Sequence, residues 1–283
     1  MIIRPGTVLG GRYRLVEHIA SGGMGEVWKG QDEPGNRTVA IKILLSAVGD
    51  DTNFVARFRA EARAMSTINH PGVVRIYDFG DDSPVGTYLV MQYVDGEALA
   101  RTLNRVRRLT AGRTMALMAQ AADALAAVHR AGVVHRDIKP GNLLVRRNGT
   151  LLLTDFGIAR QDDATSLTIA GSVVGTAAYM SPEVAMGGKA TPLSDVYGLG
   201  VVAYQCLAGR RPFDGSTPMQ IATRHVREAP PPMPHDVPAL ARAVVDRALA
   251  KRADDRFPDA TAFADEARRV AVALGATGPM RAG

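Results

Sequence analysis

Cysteine is almost absent from this sequence of 283 residues. The one cysteine, Cys206, has no second cysteine to pair with, so the chain carries no disulfide framework and no Cys-based metal site. A reducing cytosol is the natural compartment for such a chain. Cys206 lies in an apolar run, which favours a core position over a role as a nucleophile.

Long hydrophobic runs are missing as well. No apolar run reaches the ~18 residues that span a bilayer, and residues 1–6 lack the hydrophobic region of a signal peptide. We therefore expect a soluble cytoplasmic domain, tethered to the cell membrane if the parent chain is longer. The apolar share of 46% and the charged share of 22% are those of a globular protein.

Lysine is scarce, since only five of the 34 basic residues are lysines. Where arginine is the default cation, each lysine is a candidate for a role that needs a compact point charge. The formal charge is +6, but the short arginine clusters at 105–108 and 146–147 have no aromatic residues arranged for base stacking. Nucleic acid is therefore not expected as a partner, whereas ATP-type anions fit the basic balance.

Apolar periodicity changes near residue 94. Strand-like alternation precedes this point in five segments: 13–20, 26–31, 38–45, 73–79 and 87–93. A helical period occurs once before it and four times after it: 53–68, then 113–131, 195–209, 239–250 and 260–274. Short strands at 143–145 and 151–153 flank Asn148-Gly149, which predicts a two-residue hairpin turn.

These patterns predict an α+β fold in two parts. Residues 1–94 form a β-rich domain with one helix, residues 95–274 form a mostly helical domain, and residues 275–283 begin a linker or tail. A cleft between two unlike domains is a common ligand site.

A glycine cluster between the first two predicted strands suits phosphate binding. Residues 22–25 read Gly-Gly-Met-Gly, and a glycine hairpin lets backbone N–H groups approach phosphate oxygens without a Cβ in the way. Gly22, Gly25 and Val27 keep most of the pattern G-x-G-x-x-G-x-V, although Ala20 stands at its first glycine. Taken alone, this cluster is equally typical of a flexible turn.

Lys42 ends the strand-like sequence Val39-Ala40-Ile41-Lys42, and Glu61 follows nineteen residues later on the predicted helix 53–68. A lysine that holds phosphate oxygens at one position needs a carboxylate to fix it. An ion pair from strand to helix would provide that carboxylate. Alone, Lys42 is also consistent with an ordinary lysine at a strand edge.

Two short loops joined by the hairpin carry the strongest chemical signal. Residues 135–142 read His-Arg-Asp-Ile-Lys-Pro-Gly-Asn, and residues 155–157 read Asp-Phe-Gly. Their carboxylate and amide oxygens are hard ligands that suit Mg²⁺. Asp137 is placed to accept a proton from an attacking hydroxyl, and Lys139 to reach a transferring phosphoryl group.

These motifs resemble the signature set of protein kinases, over about residues 10–270. The residues at 22–25 and 135–142 are similar to those of bacterial, especially actinobacterial, eukaryotic-like serine/threonine kinases of the Hanks type. The resemblance implies a bilobal kinase fold and transfer of the γ-phosphoryl group of ATP to Ser or Thr hydroxyls. It implies Mg²⁺ as the metal, with Mn²⁺ as an alternative.

The resemblance also assigns roles by position. The catalytic set comprises Lys42, which would hold the α- and β-phosphates, its partner Glu61, the base Asp137 and Lys139. The metal would be held by Asn142 and Asp155. The nucleotide pocket would consist of Ile19, Gly22, Gly23, Gly25, Val27, Ala40, Lys42, Met91, Gln92, Val94 and Leu144. Within it, Met91 would be the gatekeeper and residues 92–94 the hinge that meets adenine.

Further matches point to a protein substrate and to structural anchors. Ser181-Pro182-Glu183 resembles the A-P-E motif with Ser in place of Ala, and Gly175-Thr176 resembles the loop that supports a substrate Ser or Thr. The resemblance implies that Glu183 pairs with Arg256 and that Asp195 braces the catalytic loop.

Arg136 directly precedes Asp137, as in kinases that are activated by phosphorylation of the activation loop. The resemblance adds Arg57 and Arg160, and three converging guanidinium groups would repel one another unless an anion lay between them. Autophosphorylation is therefore predicted within residues 161–174, at these candidates in order of preference: Thr168, Ser172, Ser166 and Thr165. Alternatively, these arginines are separately solvated or pair with Asp162 and Asp163.

The partners implied by the resemblance are protein substrates with Ser or Thr acceptors, phosphothreonine-reading proteins, and a second kinase domain in a homodimer. One alternative is a pseudokinase, an ATP-binding scaffold without turnover. It is disfavoured because Lys42, Asp137 and Asp155 are all present. Small-molecule kinases of the aminoglycoside type lack a lysine at the position of Lys139 and lack the segment 175–183. A tyrosine kinase is disfavoured by Lys139 together with Thr176.

Overall fold

The computed structural model describes residues 3–22, 25–44, 52–82, 85–155 and 177–276, without the side chains of residues 52–54 and 57. The chain packs as two compact units. The N-terminal unit comprises residues 1–69 and 74–95, and the C-terminal unit comprises residues 70–73 and 96–283.

The N-terminal unit is built on an antiparallel six-stranded sheet in the order β1-β2-β3-β4-β6-β5. Its strands are β1 (Val8–Leu9), β2 (Tyr13–Gly22), β3 (Gly25–Asp32), β4 (Arg37–Leu44), β5 (Ile76–Asp82) and β6 (Gly86–Gln92). Its helix is α1 (Thr52–Ser66), which packs beside β5. Phe58, Ala62 and Met65 are buried on one face of α1, at the spacing of an amphipathic helix.

Side-chain alternation in β4 gives the sheet two different faces. Val39, Ile41 and Ile43 point into a core that also contains Trp28 and Tyr88. The intervening residues of β4 point to the opposite face. The apolar core therefore fixes which side of the sheet receives the polar residue Lys42.

The C-terminal unit contains a small sheet in the order β7-β8-β9 and, among its described residues, seven α-helices and two short 3-10 helices, Pro140–Asn142 and Ala253–Asp255. Its strands are β7 (Gly96–Ala98), β8 (Leu143–Arg146) and β9 (Leu151–Leu153). Its helices are α2 (Leu99–Val106), α3 (Ala111–Arg130), α4 (Pro182–Ala185), α5 (Pro192–Ala208), α6 (Pro218–Arg227), α7 (Ala239–Ala248) and α8 (Ala260–Ala273). Helix α3 packs against both α5 and α8.

Helix α5 is the buried centre of this unit. Its start is fixed by a capping box between Thr191 and Ser194 with Pro192 in the first turn, and it ends at Gly209 with φ of 73°. Gly200 allows close packing, because a Cβ there would lie 2.8 Å from the Cβ of Ala248 on α7. Cys206 is fully buried on α5, and burial raises the pKa of its thiol to about 12, which confirms the predicted core role.

Two local expectations were wrong in detail. Residues 73–79 do not form one strand: Val73 makes a parallel bridge to Leu153, and β5 begins only at Ile76. The predicted two-residue turn is a three-residue loop, since the Arg146 N–H donates to the Thr150 carbonyl at 2.9 Å. Gly149 takes φ of 83° at the third loop position, a common form of longer hairpin loop.

Across the described ranges, no helix is both long enough and apolar enough to cross a membrane.

Candidate active site

The predicted nucleotide residues of the N-terminal unit lie on one face of its sheet. Lys42 is paired with Val27 on β3, and Ala40 is paired with Met91 on β6. Directly paired residues in a sheet point to the same side, so these four side chains form one surface, opposite the apolar core. Ala40 and Met91 are buried, whereas Val27 and Lys42 are partly exposed.

The glycine hairpin brings Gly22 and Gly25 opposite each other at the ends of β2 and β3. Gly25 has φ of 150°, and a Cβ there would lie 1.9 Å from the carbonyl oxygen of Ile43. Only glycine fits this contact. Ile19 is 48% exposed and lies in an irregularity of the β2–β3 register. Gly23 lies outside the described residues.

The remaining predicted nucleotide residues are divided between the two units. Gln92 ends β6 and pairs with Val39, while Val94 follows it and is 9% exposed. Leu144 belongs to the C-terminal unit, where it pairs with Ala98 and Leu152 in the small sheet. Glu61 lies on α1 and, like Lys42, is partly buried.

His135 joins the loop 135–142, called the catalytic loop below, to the end of β9. Its Nε2 lies 3.0 Å from the Thr154 carbonyl oxygen, which only accepts, so Nε2 carries the proton. Its Nδ1 then accepts from the Asp137 N–H at 3.2 Å. The ring is fully buried, and burial lowers its pKa, so the imidazole is neutral.

Asp195 braces the same loop from α5, which confirms that expectation. Its carboxylate accepts from the backbone N–H groups of His135 at 2.8 Å and Arg136 at 2.9 Å. Arg136 has φ of 64°, a conformation that non-glycine residues rarely adopt. Gly198, one turn along α5, lets the loop approach, because a Cβ there would lie 3.0 Å from the Cβ of Ile138. The hydrogen bonds to Asp195 offset the cost of this backbone.

Asp137, Lys139 and Asn142 form one hydrogen-bonded cluster. Lys139 Nζ lies 2.8 Å from Asp137 Oδ2, and Asn142 Nδ2 donates to the same oxygen at 3.1 Å and to the Asp137 carbonyl at 2.7 Å. Asn142 is 3% exposed, whereas the Asp137 side chain is 13% exposed. The carboxylate is thus held in one orientation at the edge of the loop.

Asp155 lies next to this cluster. Its carbonyl oxygen accepts from Asn142 Nδ2 at 3.5 Å, and the Thr154 N–H donates to the Asn142 carbonyl at 3.0 Å. Asp155 has φ of 53°, a second positive φ outside glycine in this site. Among the described residues, no group of three or more His, Cys, Asp or Glu side chains is arranged to hold a metal. The predicted metal ligands are one amide and one carboxylate, Asn142 and Asp155.

Glu183 and Arg256 form the predicted ion pair. Arg256 donates to the two carboxylate oxygens at 2.9 and 2.7 Å, and Ser194 Oγ donates to Glu183 Oε1 at 2.7 Å. Burial alone would raise the pKa of Glu183, but these hydrogen bonds outweigh it and lower the pKa to about 2. Arg256 also packs over the Tyr197 ring, with Cζ 4.9 Å from the ring centroid.

Several predicted residues lie outside the described part of the chain. These are the four phosphorylation candidates, Gly175-Thr176, Arg160 and the side chain of Arg57.

Two histidines with defined partners were missed by sequence reasoning. His129 Nε2 lies 2.8 Å from Asp195 Oδ2, so it shares the carboxylate that braces the catalytic loop. His225 is fully buried on α6. A sequence signal existed for α6, because Thr217-Pro218 is a typical helix start and Ile221 and His225 share one face. No sequence signal identified the partner of either histidine.

The comparisons with known proteins agree on one family. Residues 13–266 match the model of the protein kinase domain. The chain is 44% identical over 266 residues to the serine/threonine-protein kinase PknA of Mycobacterium tuberculosis, covering 93% of this chain and 62% of that protein. It is 45% identical over 261 residues to the serine/threonine-protein kinase drp72 of Corynebacterium efficiens, covering 91% of this chain and 50% of that protein.

A solved structure shows the same fold. The crystal structure of the Mycobacterium tuberculosis PknI kinase domain superposes with a TM-score of 0.74 at 30% identity, covering 96% of this chain and 100% of that chain. The fold is therefore a protein-kinase fold with a β-rich N-lobe and a mostly helical C-lobe, as predicted. The chain spans about 62% of the length of PknA and less of drp72.

This chain belongs to the protein kinase family, and it is a serine/threonine protein kinase domain of the bacterial, eukaryotic-like type. The resemblance stated from its motifs is thus confirmed. Members of this family use ATP and a divalent metal, and they act on protein substrates.

Proposed function

We propose that this domain transfers the γ-phosphoryl group of ATP to Ser and Thr hydroxyls of proteins, with Asp137 as the general base. The observation that carries this proposal is the fixed position of the Asp137 carboxylate, held by Lys139 at 2.8 Å and Asn142 at 3.1 Å. A base that is oriented before the substrate arrives accepts the hydroxyl proton without first reorganising. Lys139 adds a positive charge beside the reacting oxygen.

The metal role assigned to Asn142 and Asp155 fits the donor set. Asn142 Nδ2 donates to Asp137 and to the Asp155 carbonyl, so the amide oxygen is the atom of this side chain that would bind the metal. An amide oxygen and a carboxylate are hard ligands of the kind that Mg²⁺ prefers, and Mn²⁺ accepts similar ligands. When bound, the metal would neutralise charge on the phosphate oxygens.

The nucleotide role is supported by the shared sheet face of Val27, Ala40, Lys42 and Met91. We assign Lys42 to the α- and β-phosphates, with Glu61 as its partner, and the hinge 92–94 to adenine. Gly25 brings the backbone of the hairpin close to β4 because it lacks a Cβ.

Replacement of Asp137 tests the central assignment. Asp137→Asn removes the base but keeps the size of the side chain, so phosphoryl transfer should fall by about 10³-fold, within the usual range for general-base catalysis. Radiolabel transfer from ATP to myelin basic protein measures this change. The melting temperature and its increase with ATP and Mg²⁺ should remain.

Asp265→Asn is the matched control, since Asp265 has a 68% exposed side chain on α8 and pairs only with Arg268 among the described residues. It should leave transfer unchanged. An Asp137→Asn protein that keeps more than about a tenth of wild-type transfer would refute the assignment of Asp137. A folded wild-type domain that binds ATP without any transfer would instead support the pseudokinase alternative.

Regulation and partners are further proposals that rest on the family resemblance. We propose autophosphorylation within residues 161–174, preferably at Thr168 and then Ser172, with Ser166 and Thr165 as further candidates. Phosphothreonine-reading proteins would then be partners, and a homodimer of kinase domains would allow phosphorylation in trans. A longer parent chain would tether the domain to the cell membrane. Analytical ultracentrifugation of the phosphorylated domain tests the homodimer. The mass of a single chain at every protein concentration would contradict it.

A further inference from the structure

His225 is a fully buried histidine that connects two segments of the C-terminal unit. Its Nε2 lies 3.1 Å from the carbonyl oxygen of Ala178. Its Nδ1 lies 2.8 Å from the hydroxyl of Tyr197 on α5. One imidazole therefore ties the chain around Ala178 to the central helix of the unit.

The partners define the protonation of this ring. A carbonyl oxygen only accepts, so Nε2 carries the hydrogen and donates it to Ala178, and Nδ1 accepts from the Tyr197 O–H. The ring is thus neutral and uses both nitrogens. Burial, together with the nearby charge of Lys251, lowers its pKa to about 3, which agrees with a neutral ring at physiological pH.

Further contacts lock the ring in place. The Phe213 ring meets it edge to face, with 4.7 Å between the centroids. Lys251 Nζ donates to the His225 carbonyl at 2.6 Å and lies 4.3 Å from the Phe213 centroid. His225 is thus fixed at its backbone and at both ring nitrogens, so it has little freedom to follow a movement of Ala178.

The segment that His225 holds is the one that follows Gly175-Thr176. Ala177 and Ala178 are fully buried and pack against Ile221 of α6. The Tyr179 hydroxyl donates to Gln205 Oε1 at 2.6 Å. The Ala178 carbonyl therefore lies two residues beyond Thr176, in a short stretch that α5 and α6 hold from several sides.

We propose that His225 is a positioning residue for protein-substrate binding, acting through the Ala178 carbonyl on the segment that supports the acceptor Ser or Thr. This inference rests on the proposed function and on the resemblance of Gly175-Thr176 to the loop that supports a substrate Ser or Thr. The hydrogen bonds and ring contacts of His225 go to Ala178, Tyr197, Phe213 and Lys251, and these residues lie outside the loop 135–142. Its loss should therefore weaken binding of the protein substrate and leave ATP binding unchanged.

Two amide substitutions separate the two nitrogens of the ring. Gln places its amide nitrogen near the position of Nε2, so His225→Gln keeps a donor for Ala178. Asn is shorter, so His225→Asn keeps an acceptor for Tyr197 but does not reach Ala178. Because a buried carbonyl then loses its partner, the KM for myelin basic protein should rise about tenfold in His225→Asn and less than about threefold in His225→Gln.

The matched control is Tyr204→Phe, which removes a hydrogen bond made by another buried tyrosine of α5, from the Tyr204 hydroxyl to the Pro231 carbonyl at 3.0 Å. It should leave the KM for myelin basic protein unchanged. In all three variants, the KM for ATP and the increase in melting temperature with ATP and Mg²⁺ should stay at wild-type values. A general loss of stability would instead change all of these readouts together.

An active wild-type enzyme with the same protein-substrate KM in His225→Asn and His225→Gln would overturn the role of His225 alone. The same conclusion follows if Tyr204→Phe raises this KM as much as His225→Asn does, or if the KM for ATP rises equally. Absence of any transfer by the wild-type domain would contradict the proposed function, and this inference with it.

Discussion

Among single residues, two buried histidines show how a hydrogen-bond partner determines which ring nitrogen carries the proton. His135 and His225 each donate from Nε2 to a backbone carbonyl, of Thr154 and Ala178 respectively. Each then accepts at Nδ1, from a backbone N–H in one case and from a tyrosine hydroxyl in the other. With these partners each ring is neutral, because Nε2 carries the one ring proton and Nδ1 serves as the acceptor.

The neutral state of His225 predicts a pH dependence of stability. The pKa of His225 is about 3 in the folded protein, against 6.5 for an ordinary histidine. Between these values only the unfolded chain takes up the proton, so the free energy of unfolding falls as pH decreases below about 6.5. Glu183 has a pKa of about 2 against 4.5, so it contributes in the same direction only below about 4.5.

Urea unfolding at pH 6.5, 5.5 and 5.0 isolates the contribution of His225 from that of Glu183. Wild type should lose more stability over this range than His225→Gln, by up to about 1.4 kcal/mol per pH unit. Equal losses in the two proteins would show that His225 is protonated in the folded state.

The site residues also show which parts of the site could be predicted from the sequence. Asp137, Asn142 and Asp155 are adjacent in short motifs, so their chemistry could be predicted from their order along the chain. His129 acts on Asp195 from 66 positions away, and His225 acts on Ala178 from 47. Such pairs depend on how helices pack, and no pattern within either helix specifies the partner.

Among the secondary-structure elements, the local apolar pattern was a good guide. Strand β4 and helix α3 were predicted from their apolar spacing, and helix α5, which is buried on nearly every side, from its continuous apolar run. Strand β5 was misplaced because its second half, Gly80-Asp81-Asp82, is polar. Its place in the sheet is set by pairing with β6 and by long-range hydrogen bonds, such as the Gly10 N–H to Asp82 Oδ2 at 2.5 Å. Tertiary contacts override β propensity at such positions.

The segment that separates β9 from α4 carries the regulatory prediction. Arg136 is fixed in the catalytic loop by Asp195, and residues 161–174 contain Thr168 and Ser172. We expect purified enzyme given ATP to autophosphorylate within 161–174 and become more active, because a phosphate suits a cluster of arginines. Peptide mapping by mass spectrometry and an activity assay measure both effects.

Phosphatase treatment provides the control for this prediction. It should lower the activity of wild type but not of the double variant in which Thr168 and Ser172 are replaced by Ala. A fully active enzyme with no phosphate anywhere in 161–174 would show that the arginines need no anion.

At the scale of the whole molecule, the C-terminal unit is tied together by contacts between distant segments. Glu183 and Arg256 are 73 positions apart and form a bidentate pair in which the Arg256 side chain is fully buried. Breaking a buried pair of this kind is costly, because it leaves one charge without a partner. This pair was predicted only through the family resemblance, since charge patterning alone does not select one arginine among many.

The central claim is that this domain is an active kinase for Ser and Thr hydroxyls. Incubation with γ-labelled ATP, Mg²⁺ and myelin basic protein, followed by phosphoamino-acid analysis, tests it most directly. We expect label on phosphoserine and phosphothreonine that depends on the divalent metal and is abolished in Asp155→Asn. A folded domain that binds ATP but yields no label, or yields phosphotyrosine alone, would contradict it.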